Sequence, residues 1–513
     1  MADQDGTSVP PWVEGADPPA FPALESDLEV EVAVVGAGIA GMSVAYELAC
    51  CGVAVAVVDD GTVGGGQTHR TTAHLASALD DRLTSLEKLH GEEGARSAAA
   101  SHATAIDRIE QIVEQEAIDC DFERLDGFLF PGRSRPRSDL DLEYEAARRA
   151  GLDAERLDVS PFPGMGSVCV RFPRQGQMHP LRYLHGLARA ATSRGARIFE
   201  STHVARIDEK GPSVRMHTSR GTRIRARFGV VATNAPIHTV FALHTKQAAY
   251  RTFVIGFSVL EGSIQRALGW DMEDPYHYVR LCRSGSPAGD VLLVGGEDRR
   301  LGTREANDAP QRHAALERWA RERFPGLGPA LYRWSGEVLE PVDGPAFIGA
   351  SPGRGEHLFV ITGDSGMGMT HGTIGGMLIR DLILQRPNPW AALYDPSRKP
   401  VRAALEYARE NLETAAHYLD WLRGGDASLR EVGADCGAVV RDGLRKLAVY
   451  RDPQGVLHVR SATCPHLGCV VAWNGVEKTW DCPCHGSRFD RFGRVVHGPA
   501  NRDLAPAEPS RSD

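Results

Sequence analysis

The chain has 513 residues and a formal net charge of -9, with 42% apolar and 24% charged residues. This composition is ordinary for a folded protein of two or three domains, and the acidic balance argues against a nucleic-acid partner, which requires a basic face. The N-terminus lacks a basic start followed by an apolar core, and no apolar stretch reaches the roughly 18 residues of a membrane span. We therefore expect a cytoplasmic protein without a transmembrane segment.

Residues 1–28 are rich in proline and lack hydrophobic periodicity, which predicts a flexible N-terminal tail or a strap over the first domain. Order begins directly after them. Residues 29–60 have the pattern of a short apolar strand, a glycine turn, a helix, a stop at Gly52 and a second apolar strand. This pattern predicts one βαβ unit.

The turn of this unit contains the sequence VVGAGIAG. Gly36 permits the tight turn, Gly38 lets a pyrophosphate approach the backbone, and Gly41 lets the helix pack closely on the strand. The N-terminus of the helix then faces the phosphate charge. Asp59 ends the second strand 18 residues after Gly41, where a carboxylate can bind a ribose hydroxyl. Together these features predict a dinucleotide site.

Helical periodicity returns at about 82–119 and at about 180–194, and strand-like segments such as YRTFVIGFSVL and DVLLVGGE dominate the region that follows. The mixture predicts an antiparallel sheet inserted between parts of a parallel-sheet domain. There is no second strand–GxGxxG–helix unit in the sequence, so direct reduction by a small organic substrate is favoured over reduction by NAD(P)H.

Three segments resemble the D-amino-acid-oxidase-like, or glycine/sarcosine-oxidase-like, family of FAD-dependent oxidoreductases: FGVVATNAP at 228–236, RWSGEVLEPVDGPAFIGASP at 333–352, and HLFVITGDSGMGMTHGTIGGMLIRDLI at 357–383. The resemblance implies FAD, which we expect to bind tightly and noncovalently. By position, it implies that Val204 lies near the adenine. It also implies that the following residues lie near the flavin ring: Gly363, Gly366, Met367, Gly368 and Met369.

The substrate side departs from this family. Amino-acid-oxidising relatives often carry an arginine after the tryptophan-glycine element, where its guanidinium clamps the substrate carboxylate, but this chain has Val338 there. An amine, a modified amino acid, or a substrate held by another arginine such as Arg251 remains open. Relatives line the substrate cavity near His179, so this residue is a candidate catalytic contact, the alternative being a structural histidine; His371 and Tyr250 are weaker candidates.

Near the C-terminus, CPHLGC and CPCHGSRFD contain four cysteines and two histidines. The order Cys464-x-His466, 15 intervening residues, Cys482-x-x-His485 matches the Rieske pattern, in which two thiolates hold one iron and two imidazoles hold the other. A zinc site is the alternative, but this spacing is far from common zinc spacings. The motif predicts a [2Fe-2S] cluster.

The surrounding residues resemble the Rieske proteins of respiratory and photosynthetic complexes. The resemblance implies a disulfide between Cys469 and Cys484 that joins the cluster loops, and a proline loop over the cluster at 497–504. Ser487 matches the serine whose hydroxyl bonds a cluster sulfur. Phe489 replaces a tyrosine that donates to a ligand sulfur, and losing this donor should lower the reduction potential.

The expected architecture is an α/β Rossmann-type FAD domain with an inserted antiparallel-sheet substrate domain, plus a C-terminal all-β Rieske domain. The predicted boundaries are a tail at 1–28, the FAD-dependent oxidoreductase domain at 29–388, a helical connector at 389–428 and the Rieske domain at 429–513. This combination resembles a family of bacterial FAD-dependent oxidoreductases with a fused Rieske domain.

We therefore expect an enzyme that oxidises a C–N bond of a small amine or amino-acid-like substrate. FAD would take two electrons, and the cluster would pass them singly to an external acceptor. Two alternatives remain: an electron-transfer protein that feeds an oxygenase, and a flavin hydroxylase.

Overall fold

The computed structural model describes residues 10–237, 241–283, 289–301, 309–399, 401–404, 407–409, 411–412, 417–422, 424–475 and 477–510. The first part of the chain alternates strands and helices. Its elements are β1 (Leu28–Val35), α1 (Ile39–Cys50), β2 (Val55–Val58), β3 (His74–Leu75), α2 (Leu83–Gln115), β4 (Glu123–Phe130), α3 (Arg137–Arg149), β5 (Glu155–Leu157), β6 (Cys169–Gln177), α4 (Pro180–Ser193) and β7 (Arg197–Phe199).

The middle part is dominated by strands. Its elements are β8 (Val204–Lys210), β9 (Ser213–Thr218), β10 (Arg223–Val231), α5 (Phe241–His244), β11 (Gln247–Val259), β12 (Leu268–Asp271), β13 (His277–Arg283), β14 (Asp290–Arg300), α6 (Ala309–Arg323), β15 (Ala330–Pro341), β16 (Phe347–Ala350), β17 (Leu358–Thr362), α7 (Gly368–Ile383) and α8 (Ala391–Tyr394).

The last part consists of short strands: β18 (Cys436–Asp442), β19 (Arg445–Arg451), β20 (Leu457–Ser461), β21 (Ala472–Asn474), β22 (Thr479–Asp481), β23 (Arg488–Asp490) and β24 (Val495–His497). They form two antiparallel sheets, β18-β19-β20 and β21-β22-β23-β24. Their shared core includes the four cysteines of the two cluster motifs. The predicted all-β fold of the C-terminal domain is confirmed.

The predicted βαβ unit is β1-α1-β2, at the centre of a sheet with the order β16-β17-β10-β1-β2-β7. β1 pairs in parallel with both β2 and β10. Parallel strands buried on both faces need near-continuous apolar sequence, which the VAVV ends of β1 and β2 supply. The helices α1, α4 and α7 contribute to the main core beside this sheet.

A second large sheet has the order β15-β11-β14-β13-β12-β4-β6-β3 and is antiparallel apart from the parallel pair β12-β4. Its strands come from residues between those of the first sheet, so the predicted inserted antiparallel sheet is confirmed. The two helical predictions are confirmed by α2 and α4. The α2 helix is interrupted at Gly91, whose φ of +75° breaks the helical path.

Residues 10–27 differ from a free tail. The side chain of Trp12 is 2% exposed and packs edge-on against Trp334 of β15, and its Nε1 donates to the His69 carbonyl. Further along, Leu24 is 4% exposed in the core of the parallel sheet. Burial of these apolar side chains makes residues 10–27 a strap across the first domain, whereas residues 1–9 lie outside the described part.

The described part of the expected connector, 389–428, contains α8 and short 3-10 turns at Val401–Ala403 and His417–Leu422. The remainder of that prediction falls partly on residues outside the described set. Trp421 packs against the C-terminal core and donates from Nε1 to the Gly468 carbonyl at 3.0 Å. The described helices include none with both the length and the apolar character of a membrane span.

Candidate functional site

A cavity of about 500 Å³ lies where the predicted nucleotide segments meet the antiparallel sheet. It reaches the size range of small-molecule and cofactor sites. The predicted cofactor-binding residues that line it are Gly36, Gly38, Asp59, Val204, Gly366, Met367, Gly368 and Met369. The structure therefore brings together segments that are more than 300 residues apart in the chain.

The first glycine turn gives the backbone its close approach to the cavity. Gly36 has a φ of +107°, and a Cβ there would overlap the Ala232 carbonyl oxygen. A Cβ on Gly41 would in turn overlap the Gly36 carbonyl oxygen, so Gly41 acts by allowing α1 to pack on β1 and does not itself line the cavity. Gly38 is the N-cap of α1, which places the positive end of this helix at the cavity.

Asp59 lies directly after β2 at the carboxyl edge of the parallel sheet. Its Oδ2 accepts from the Ala37 amide at 2.6 Å, and its Oδ1 accepts from the Gly61 amide at 2.8 Å. Burial raises the pKa of Asp59 to about 6. The two amides orient the carboxylate beside the glycine turn, which fits its predicted contact with a ribose.

The second glycine segment connects β17 to α7. Gly363 has a φ of +74° and packs against Pro341, so it shapes the turn without lining the cavity. The α7 helix then begins at the cavity wall, with Met367 as its N-cap. This helix presents its positive end to the cavity and fits an anionic part of a flavin ring.

One end of the cavity is acidic and aromatic. Asp80, Tyr276, Tyr278 and Val338 line it, and the two tyrosine rings lie 5.6 Å apart. The Tyr276 hydroxyl donates to Asp80 Oδ2 at 3.3 Å. These residues come from separate strands and loops, so their proximity was not visible in the sequence.

The carboxyls at this end have pKa values raised to near neutral pH. Burial, followed by the charges of Asp81 and Asp298, raises the pKa of Asp80 to about 7. Burial also raises the pKa of Asp298, behind the cavity wall, to about 7. A cation in the cavity would favour the ionised form of both groups, because it offsets their desolvation.

Two sequence-based candidates lie away from this end. The Nδ1 of His179 accepts from the Arg182 amide at 3.2 Å and caps α4, and His179 does not line the cavity. Its predicted substrate contact therefore finds no support in the geometry. Arg251 is 4% exposed and pairs with carboxylates of the C-terminal domain, so the suggestion that it anchors a substrate is wrong.

Arg70, which sequence reasoning missed, lines the cavity, but its Nη1 donates to the Ser335 carbonyl at 3.1 Å. His102, which sequence reasoning also missed, lies beside the weaker candidate His371; both are buried, and their Nε2 atoms lie 3.2 Å apart. His371 lines the cavity and its Nδ1 donates to the Asp364 carbonyl at 2.8 Å. Of the weaker candidates, His371 is thus at the site.

The structure brings the predicted cluster ligands together as two pairs in the C-terminal domain, one of cysteines and one of histidines. Cys464 and Cys482 are buried, and the hydrogen bond from the Cys482 thiol lowers the pKa of Cys464. The imidazole rings of His466 and His485 lie 5.0 Å apart. Both ring nitrogens of His466 and Nδ1 of His485 are buried without a hydrogen-bond partner among the described residues. Two buried thiols in contact, and two neighbouring imidazoles with orphaned ring nitrogens, are the donor types that fit a metal cluster.

Burial keeps these imidazoles in the form that binds metal. It lowers the pKa of His466 to about 4, and it lowers the pKa of His485 to about 3. A neutral imidazole has a lone pair to offer iron, whereas an imidazolium has none. The donor set therefore suits the predicted cluster near neutral pH.

The disulfide between Cys469 and Cys484 is present and joins the two cluster loops. The sulfurs of these residues lie within 4.8 Å of the Cys482 sulfur, but the disulfide bond removes them as thiolate ligands. The Ser487 hydroxyl makes a hydrogen bond with the Cys464 thiol and also accepts from the Ala500 amide at 3.0 Å, while its bond to a cluster sulfur stays a prediction.

The C-terminal domain is docked on the antiparallel sheet through a buried ionic cluster. Arg251 of β11 lies 3.0 Å from Asp481 and 3.6 Å from Glu477. Arg488 pairs with the same two carboxylates, and Ser335 donates to Glu477. Each charge therefore has an opposite partner, as buried ions require.

The cluster loops contact the wall of the cavity. A Cβ on Gly486, next to His485, would lie 2.5 Å from Glu337 Oε1, and Glu337 lines the cavity beside Val338. The ring of His244, the last residue of α5, lies 4.4 Å from the ring of His466. The cluster loop and the cavity thus adjoin at Glu337 of β15.

Comparison with known families assigns the two regions separately. The family described as "FAD dependent oxidoreductase" matches residues 31–382, and the family described as "Rieske [2Fe-2S] domain" matches residues 427–508. The chain is 30% identical over 510 residues to the "Putative Rieske 2Fe-2S iron-sulfur protein YhfW" of Bacillus subtilis, covering 98% of this chain and 99% of the relative.

Two further similarities concern the first region. The chain is 27% identical over 385 residues to the gamma-glutamylputrescine oxidoreductase of Escherichia coli, covering 71% of this chain and 85% of that protein. The crystal structure of glycine oxidase from Geobacillus kaustophilus superposes with a TM-score of 0.62 at 21% identity, covering 72% of this chain and 99% of that one. The second comparison shows the fold.

Proposed function

The chain belongs to the FAD dependent oxidoreductase family and ends in a Rieske [2Fe-2S] domain, and from this premise we propose the reaction that it catalyses. The substrate is a small amine or amino-acid-like molecule that carries a positive charge and is oxidised at a C–N bond. The electrons leave through the Rieske domain to an external acceptor. FAD, when bound, would supply the two-electron chemistry, and the cluster would supply one-electron transfer.

The observation that carries this proposal is the acidic and aromatic end of the cavity. Asp80 offers a carboxylate to an ammonium group, and the faces of Tyr276 and Tyr278 offer cation–π contacts. Val338 occupies the position of the wall from which an arginine would clamp a carboxylate in amino-acid-oxidising relatives. These features favour a cationic amine over a plain α-amino acid, in keeping with the name of the Escherichia coli relative.

The position of the Rieske domain supports the electron route. Its loop residue Gly486 contacts Glu337, which also lines the cavity. The ionic cluster around Arg251 holds this contact in place within one chain.

The substrate class is tested by mixing the purified protein anaerobically with equal concentrations of a diamine, a monoamine of the same length and an α-amino acid, and following the flavin absorbance. We expect the diamine to bleach the flavin at the lowest concentration. Rapid bleaching by NADH, with none by any amine or amino acid, would instead identify an electron-transfer partner of an oxygenase.

The role of Asp80 is tested by Asp80→Asn. Loss of one carboxylate–ammonium contact should raise the diamine concentration for half-maximal bleaching by about tenfold, with a much smaller change for the monoamine. The matched control is Asp81→Asn, which removes the same charge from the neighbouring residue; Asp81 accepts from Ser365 and does not line the cavity. Equal effects of the two variants on the diamine and the monoamine would exclude a specific ammonium contact.

A further inference from the structure

We infer that the Rieske domain completes the FAD site, because its loop at residues 495–501 forms the wall of the cavity at the adenosine end. Six of its residues line the cavity together with Asp59 and Val204: Val495, Val496, His497, Gly498, Ala500 and Asn501. This loop overlaps the segment predicted to cover the cluster. The inference concerns FAD retention and does not depend on the substrate.

Asn501 fixes this loop to the adenosine end. Its carbonyl accepts from His203 Nε2 at 2.9 Å, and its Nδ2 donates to the Ala205 carbonyl at 3.1 Å. His203 and Ala205 flank Val204, the residue predicted to lie near the adenine. The two hydrogen bonds therefore hold the C-terminal domain against the start of β8.

The same contact continues to the ribose end of the predicted site. His203 Nδ1 donates to Asp60 Oδ2 at 3.4 Å, and this hydrogen bond is the main cause of the raised pKa of His203. Asp60 adjoins Asp59. A loop held by His203 is thus connected through one imidazole to the acidic residues that end β2.

The loop also contacts the turn after β10, which lines the cavity. Asn234, in the turn after β10, donates from Nδ2 to His497 Nε2 at 3.4 Å and itself lines the cavity. On the other side of the loop, the Ala500 amide donates to Ser487 beside the predicted cluster ligands. One segment thus forms a wall of one cofactor site and packs on the other.

The test uses the full chain with Asn501→Ala. Loss of the side-chain hydrogen bond to β8 should raise the dissociation constant of FAD by about threefold to tenfold, measured by titrating the flavin-free protein and following flavin fluorescence. The matched control is Arg502→Ala, next in the chain, whose exposed side chain does not line the cavity; it should leave the constant unchanged. The cluster's visible and EPR spectra should be unaltered in both variants.

A second variant tests the loop without removing a contact. Val496 is 49% exposed and lines the cavity, so Val496→Glu adds a carboxylate that repels the anionic cofactor without disturbing the core. We expect weaker FAD binding that recovers partly at high salt. Leu444→Glu, at a 93% exposed position of the same domain, is the control.

The inference is overturned if Asn501→Ala and Val496→Glu both bind FAD as tightly as the unchanged protein. It is equally overturned if Arg502→Ala or Leu444→Glu weakens binding to the same degree, since the effect would then be unspecific. Because no substrate enters these measurements, their failure is distinct from failure of the proposed amine oxidation.

Discussion

The predicted cluster site takes its four ligands from two short loops, at residues 464–466 and 482–485, whereas the cavity is lined by residues as far apart as Gly36 and Asn501. In the first site each ligand is indispensable, because four donors hold two irons. In the second site many backbone groups and side chains each contribute a small part. The two sites should therefore respond differently to single substitutions, in an all-or-none manner at the cluster and in a graded manner at the cavity.

The largest expected effect comes from Cys482→Ser. Loss of one predicted thiolate should abolish the Rieske EPR signal while FAD content and anaerobic bleaching by substrate are retained. Reduction of a one-electron dye should fall to background. The control is Cys436→Ser, an exposed cysteine of the same domain.

Two results would contradict this prediction. An unchanged EPR signal in Cys482→Ser would show that the ligand assignment is wrong. Stoichiometric zinc and no iron in the unchanged protein would establish the zinc alternative. Either result would remove the basis for expecting all-or-none loss of an iron-sulfur cluster beside graded loss at the cavity.

The second-largest effect, a loss of free energy of unfolding, is expected where the C-terminal domain joins the antiparallel sheet. Arg251→Met removes one cation from a buried cluster and leaves Glu477 and Asp481 with Arg488 as the remaining arginine. Breaking a buried pair in this way typically costs about 3–5 kcal/mol. Urea unfolding followed by tryptophan fluorescence measures the change.

The matched control is Arg223→Met, which removes an exposed partner of Asp27 and should cost less than about 1 kcal/mol. If both variants lose the same free energy of unfolding, the cluster around Arg251 does not secure the domain interface. The response of the cavity to single substitutions would then not depend on how the C-terminal domain is docked on the antiparallel sheet.

The spacing of chemically distinctive residues made the cluster site predictable. Cys464, His466, Cys482 and His485 follow one another at fixed intervals, and two loops bring them together without help from distant strands. The βαβ unit was predictable for the same reason, since its turn, helix and strand are contiguous. Such local patterns are predictable because they do not depend on contacts with distant parts of the chain.

The acidic end of the cavity was not predictable. Asp80 precedes α2, Tyr276 precedes β13 and Val338 lies in β15, so only the packing of separate strands brings them together. Arg251 remained a possible substrate anchor in the sequence because a lone arginine in a strand carries no sign of its partner in another domain. The sequence left open whether the N-terminal residues form a tail or a strap, because proline-rich sequence predicts disorder even where a side chain such as Trp12 is buried.

A further prediction concerns pH at the acidic end. The pKa values of Asp80 and Asp298 are raised to about 7, so both carboxyls are largely protonated below that pH and ionised above it. The ionised forms attract a cation. We therefore compare the ratio of kcat/KM for a diamine to kcat/KM for a monoamine of the same length at pH 6 and at pH 8, roughly one unit below and above these pKa values. This ratio should rise by severalfold from pH 6 to pH 8.

Taking this ratio cancels the deprotonation of the reacting amine, which affects both substrates alike. In Asp80→Asn the rise should be reduced, since the titrating carboxyl that lines this end of the cavity is removed. A ratio that does not change with pH would show that the carboxyls do not select the charge of the substrate.

The smallest expected effect lies at the cluster and tests whether that site also has a graded component. Phe489 is fully buried in β23, and the resemblance to respiratory Rieske proteins predicts that Phe489→Tyr restores a hydroxyl donor to a ligand sulfur. Such a donor favours the reduced, more negative cluster, and raises the midpoint potential by roughly 40 mV for each kcal/mol of that preference.

The matched control is Phe492→Tyr, in the same core but outside the ligand loops. An EPR-monitored redox titration that gives equal potentials for Phe489→Tyr and the unchanged protein would place the ring edge away from the sulfur. The four ligands alone would then set the potential.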